Sequence, residues 1–109
     1  MKTQEQIVIN LNEIINNTIE GILILQEGFI KNINQPLLEI LGYETKDELI
    51  DKLATGVLIP TSVEKYIKYN EKLFQEISLI TKDGTTIPVI IKIKDIFYED
   101  KEYKIIFIL

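Results

Sequence analysis

The sequence predicts an α+β domain built on one antiparallel sheet, and three observations predict it. Apolar residues fall at helical spacing near the N-terminus and through the middle of the chain. On both sides of that middle, apolar runs and two-residue alternation mark strands joined by turns too short for a parallel crossover. The resulting order is helix, two strands, three helices, three strands, with strand pairs bracketing a helical middle.

The first element opens on Thr3-Gln4-Glu5-Gln6, a capping box with Thr at the N-cap and Gln three residues on. Ile7, Leu11, Ile14, Ile15 and Ile19 follow at helical spacing, so a helix is expected from about Gln4 to Thr18, ended by Gly21. Ile7, Leu11, Ile14 and Thr18 also step by heptad spacing, so this helix could cover its own sheet or be shared with a second copy. Ile22 to Leu25 and Phe29 to Ile33 read as a hairpin around Gln26-Glu27-Gly28. Asn34 then stands where an N-cap belongs, Pro36 fits a first turn and Gly42 ends a short helix of apolar Leu37, Leu38, Ile40 and Leu41. Thr45-Lys46-Asp47-Glu48 is a second capping box, predicting another short helix through Lys52.

Pro60 closes the approach Leu58-Ile59, and Thr61-Ser62-Val63-Glu64 is a third capping box. Val63, Tyr66, Ile67, Asn70, Leu73 and Phe74 then give the cleanest amphipathic pattern in the chain, predicting a helix through about Phe74. From Gln75 the period becomes two. Asp83-Gly84 marks a hairpin, a long strand runs from Thr86 to about Phe97, and Glu99 to Glu102 turns the chain into a last strand from Tyr103 to Leu109. Pro88 is expected at an edge or bulge, since it has no N–H to give. The first and last strands are apolar on both faces. A sheet with a solvated face would alternate. The centre of the sheet therefore needs two covers: the helical middle on one face and the N-terminal helix on the other.

Composition removes whole function classes. The 109 residues make one domain, with 46% hydrophobic and 27% charged residues and a formal net charge of −5. Every basic residue is Lys, so the bidentate readers of phosphate and guanine are missing and nucleic acid is not an expected partner. Cys and His are both absent, which excludes disulfides, thiolate or imidazole zinc sites, a Cys nucleophile and a His-based triad. The polar N-terminus is no signal peptide, and the apolar runs are strand-length, so no membrane insertion and a cytoplasmic location are expected.

The run from Gly28 to Tyr43, with Asn34 and Gly42-Tyr43, resembles the "G-x-I-x-x-x-N…G-Y" stretch of PAS sensory domains. Lys46-Asp47-Glu48-Leu49, Leu58-Ile59-Pro60 and Lys82-Asp83-Gly84-Thr85 match further motifs of that family in order. Ile50-Asp51 departs from it, where relatives often carry Gly after the Glu-Leu pair. The resemblance implies a five-stranded antiparallel sheet with short helices over one face and a small cavity between. Residues 1–20 would then be an N-terminal amphipathic helix and 21–109 the sensory domain.

It also implies a sensory, signal-transducing input domain of a bacterial-type signalling protein, not itself an enzyme, acting with a fused or partner output domain. The expected ligand pocket is lined by Leu38, Leu41, Tyr43, Leu58, Tyr66, Leu73, Phe74, Leu79, Ile106 and Ile108. Walls this apolar suit a small apolar or amphipathic ligand, or a filled core in a ligand-free dimerisation module. A small carboxylate- or Tyr-based enzyme would need a polar pocket instead. Without Cys, the family's covalent chromophores are excluded. With Ile106 and Ile108 where flavin-binding relatives often place an amide, no cofactor is expected. Asn34 reads as a helix cap at the pocket rim, its loss costing about 1 kcal/mol and Asp substituting for it. Glu44, Asp47, Glu48 and Asp51 read as first-turn acids facing a helix dipole rather than a metal site. Lys92 and Lys94 read as solvent-face charges. Ile7, Leu11, Ile14 and Ile15 are the expected sheet cover, within the chain or across a homodimer.

Overall fold

The computed structural model describes residues 21–109, so the expected N-terminal helix with Ile7, Leu11, Ile14 and Ile15 lies outside the described residues. Five antiparallel strands form one sheet: β1 (Gly21–Gln26), β2 (Phe29–Ile33), β3 (Gln75–Ile80), β4 (Thr86–Tyr98) and β5 (Lys101–Ile108), in the order β2-β1-β5-β4-β3. Helices α1 (Gln35–Leu41) and α2 (Thr61–Glu64) and a 3-10 turn at Lys46–Glu48 lie between β2 and β3.

Two hairpin turns are tighter than the sequence suggests. Gln26 pairs with Phe29, leaving Glu27 and Gly28 as the whole loop, with φ of 51° and 85°. Tyr98 pairs with Lys101, leaving Glu99 and Asp100 at φ 50° and 65°. Both central residues left-handed is the turn that matches the right-handed twist of paired strands. Because Glu99-Asp100 contains no Gly or Asn, the sequence shows only a broad polar turn there.

Helix α1 forms as its caps dictate. Asn34 Oδ1 accepts from the Leu37 N–H, and Gly42 takes the left-handed conformation (φ 86°). The Gly42 N–H reaches Glu39 O at 3.2 Å and the Tyr43 N–H reaches Leu38 O at 2.9 Å, so the last carbonyls are satisfied. The second short helix is only the 3-10 turn. The Asp51 N–H donates to Ile30 O and the Ile30 N–H to Lys52 O, each at 2.8 Å, so this segment leaves the helix to cover the outer edge of β2. The expected helix through Phe74 ends at Glu64, and the chain from 65 to 74 crosses to β3 as an irregular strap.

The main core lies between the inner sheet face and the helical layer. Leu23, Leu25, Ile30, Ile77, Leu79, Ile91, Ile93, Ile106 and Ile108 from the strands meet Leu37, Leu38, Leu41, Leu49, Leu58 and Ile59. Gly21 serves this contact; the helix it was expected to end lies outside the described residues. A Cβ there would sit 3.1 Å from Leu37 Cβ and 3.2 Å from Ile108 Cβ, tighter than ordinary packing, so Gly eases the close approach of α1 to β1 and β5. Pro88 pairs opposite Ser78, and its nitrogen points away from β3, so it removes no bond from the β3–β4 ladder. Ile90, two residues on and facing the same way, accepts from Leu109 N at 2.9 Å.

Candidate functional site

The outer sheet face carries a second apolar cluster. Ile22 and Ile105 are buried at 1% and 3% exposure, with Ile24, Ile96 and Phe107 packed against them. Register explains the grouping: Ile22 pairs with Phe107 and Ile24 with Ile105 across β1–β5. Lys92 and Lys94 face those same residues from β4, so the two lysines belong to this face and flank its apolar row. A groove of about 430 Å³ beside the row is lined by Glu71, Phe74, Lys92, Lys94, Phe107 and Leu109, and the Lys92 ammonium lies 5.0 Å from the Phe74 ring. β1 and β5 therefore carry buried apolar side chains on both faces, one facing the helical layer and the other forming this outer cluster with Ile96 of β4.

Of the expected pocket residues, Leu38, Leu41, Leu58, Leu79, Ile106 and Ile108 share the main core, with Tyr43 half-buried against it. Tyr66 and Phe74 do not join them. They are 72% and 55% exposed, because the helix that would have turned them inward stops at Glu64. Leu73 is half-buried at the strap's end. The interior is dense: Ile30, Leu37, Leu41, Leu49, Leu58 and Ile91 are each 0% exposed.

Asn34 is the buried polar residue of the described core, at 4% exposure. Its Oδ1 accepts from Ile22 N at 2.9 Å as well as from Leu37 N at 3.3 Å, and its own N–H donates to Ile22 O at 3.1 Å. It thus joins the start of β1, the end of β2 and the start of α1. The sequence reveals the cap but not the strand contact, which spans 12 positions.

Two of the four acids after α1 enter separate ion pairs: Asp51 with Lys31 at 2.7 Å and Glu48 with Lys82 at 2.6 Å. Glu48 also accepts from the Glu44 and Thr45 N–H groups, completing one half of the capping box. Lys82 lies 5.7 Å from the Tyr43 ring and donates its N–H to Leu41 O at 2.8 Å. This contact latches the β3–β4 turn to the end of α1. The hydrogen bond from Lys82, and then that from Thr45 N–H, hold the Glu48 carboxyl below its usual range. The same bond raises the Lys82 ammonium. A depressed carboxylate stabilises the fold above its unfolded value and loses that contribution as pH falls through the folded one. The Thr81 hydroxyl, the Thr85 N–H and the Thr85 hydroxyl likewise lower Asp83 within the turn. Glu48→Gln is therefore expected to flatten part of the acid limb of a stability–pH profile, measured by denaturant titration from neutral pH to below the ordinary carboxyl range. An unchanged limb would show that the latch does not couple to folding.

A further polar group sits at the far end of the inner face. Lys104 pairs with Asp95 at 2.6 Å and lies 4.8 Å from the Tyr69 ring, whose hydroxyl is 3.4 Å from Glu64. Desolvation and then the Glu64 charge raise the Tyr69 phenol above its usual value. Among the described residues no helix is long and apolar enough to cross a membrane.

Residues 19–109 match the sequence model of the PAS domain family. No curated protein matches the chain. Among solved structures, it superposes on a PAS domain of a two-component sensor histidine kinase with a TM-score of 0.74 at 12% identity, covering 98% of both chains. A PAS domain from Desulfitobacterium hafniense gives 0.67 at 25% identity, over 84% of this chain and 93% of that one. A domain of the sensory box sensor histidine kinase/response regulator from Geobacter sulfurreducens gives 0.70 at 20% identity, over 97% and 96%. Sheet order, helical layer and family match agree on one class of domain. The chain belongs to the PAS domain family.

Proposed function

We propose that this PAS domain is a non-catalytic, cytoplasmic input module of a larger signalling protein. It works chiefly through dimerisation and protein contact, relaying its state across β1 and β5 to the N-terminal segment and to a second copy. The observation that carries this is the pair of strands with buried apolar side chains on both faces, Ile22 and Ile105 on one side and Ile106 and Ile108 on the other. A shift in the helical layer changes the packing of those two strands, and the strands bias whatever lies on the outer cluster. The dense aliphatic interior favours a filled core over a standing ligand pocket. The second reading is a small apolar ligand held in that interior, favoured by its wholly aliphatic lining from Leu38, Leu41, Leu58, Leu79, Ile106 and Ile108.

Residues 1–17 supply the apolar positions Ile7, Leu11, Ile14 and Ile15. Each such side chain contributes roughly 1.5–3 kcal/mol when buried. Light scattering over a concentration series should show the full chain as a dimer and the chain lacking residues 1–17 as aggregating or less stable, because its outer cluster is laid bare. A full chain that stays monomeric, or a truncated one equally soluble and stable, would overturn the proposal. Native mass spectrometry of the same samples separates the two readings, since a retained small molecule adds its mass to the protomer.

A further inference from the structure

The strap from 65 to 74 carries a conflict between its sequence and its conformation. Val63, Tyr66, Ile67, Asn70, Leu73 and Phe74 are spaced to form one face of a helix continuing α2. Yet the helix stops at Glu64, and Tyr66, Tyr69 and Phe74 stand 72%, 53% and 55% exposed. Two side chains account for the difference. Gln75 grips both backbone groups of Lys68: its Oε1 accepts from the Lys68 N–H at 2.7 Å and its Nε2 donates to the Lys68 carbonyl at 2.5 Å. Asn70 Oδ1 accepts from the Lys72 N–H at 3.0 Å.

A continued helix would need those same groups. The Lys68 N–H would go to Glu64 O, and the Lys68 carbonyl would accept from the Lys72 N–H. The two arrangements are therefore mutually exclusive, each satisfying the same backbone atoms with different partners. Further contacts hold the open form. Glu71 Oε1 accepts from the Asp95 N–H at 3.1 Å on the β4 edge left free beyond β3. The Lys104 ammonium lies against the Tyr69 ring and the Lys92 ammonium against the Phe74 ring.

We infer that residues 65–74 form a two-state element, an open strap clipped by Gln75 that exchanges with a helix continuing α2. The open strap places its aromatic rings in water; the helix gathers Tyr66, Leu73 and Phe74 beside Val63 and Ile67, whose side chains already face the core. Any contact that buries that gathered face pulls the equilibrium toward the helix. This element does not rest on the dimer proposed above, and its test does not read oligomeric state.

The test is nuclear magnetic resonance on the full chain. In the unmodified protein, the Cα shifts of 65–74 are expected to be non-helical on average. Relaxation dispersion at these amides should reveal a minor state with helical shifts. Gln75→Ala removes both hydrogen bonds of the clip and should raise that state's population roughly tenfold, a modest effect because both bonds are solvent-exposed. Adding Asn70→Pro should abolish the gain, because proline inside a helix removes a donor and clashes with the preceding turn. Helical shifts throughout 65–74 in the unmodified protein would overturn the inference. So would an absence of dispersion, or a Gln75→Ala variant with unchanged shifts. If Gln75→Ala does not fold, dispersion in the unmodified protein decides alone.

Discussion

Leu58→Ala is expected to destabilise the domain by about 3–5 kcal/mol, in the upper part of the range for large-to-small core changes. Leu58 is 0% exposed among Leu41, Leu49 and Leu79. Its backbone cannot follow a shrinking side chain. The Leu58 N–H donates to Ala54 O at 2.8 Å, and its carbonyl accepts from the Ile80 N–H at 2.7 Å, which ties it to the edge strand β3. A site held at both backbone groups collapses little, so most of the cavity persists. A domain of this size has roughly 5–15 kcal/mol in total, so the loss is a large share. The urea midpoint should fall with no change in slope. A dry cavity lined by Leu and Ile accepts small apolar molecules, so benzene should raise the melting temperature of the variant and leave the parent unmoved. A cost below about 1 kcal/mol would show that the interior already has room to relax. Stabilisation of the parent by benzene would show a standing cavity and favour the ligand reading over the filled core.

Asn34→Ala should cost about 2–4 kcal/mol, more than the loss of a cap alone. The substitution leaves two N–H groups, those of Ile22 and Leu37, without the acceptor they share at 4% exposure. One begins β1 and the other begins α1, so the sheet and the helical layer loosen together. Asn34→Asp keeps an oxygen for both donors. Its carboxylate is buried, however, so desolvation removes the near-neutrality a solvent-facing cap would have. The expected order of stability is Asn, then Asp, then Ala, read by denaturant titration at neutral pH. Asp as damaging as Ala would show that shared acceptance of two N–H groups is not what this residue supplies.

Much of this architecture is visible in short stretches of chain. The caps of α1, the turn at Asp83-Gly84 and the alternation in β3 and β4 are statements about neighbours within a few residues, and the fold honours them. The two-sided apolar character of β1 and β5 is equally local, and from it follow both the inner core and the outer cluster around Ile22 and Ile105. Leu38, Leu41, Leu58, Leu79, Ile106 and Ile108 come together because their elements do. Tyr66 and Phe74 are the counter-example: their helical spacing is unambiguous, yet they face water.

What local pattern does not contain is competition for backbone hydrogen bonds from distant segments. β2 claims the Asp51 N–H and cuts the second short helix to one turn. Gln75, seven positions away, claims both groups of Lys68. Asn34 reaches 12 positions back to Ile22, and Lys82 34 positions back to Glu48. Leu37 and Ile108 close around Gly21, a contact that no local pattern shows. Periodicity, caps and turns are determined by the sequence alone because they depend on spacing along one element. The ends of helices, the buried partner of Asn34 and the close contact at Gly21 are decided only in the tertiary structure, because each N–H, each carbonyl and each gap has one place to be filled and the winner comes from elsewhere in the chain.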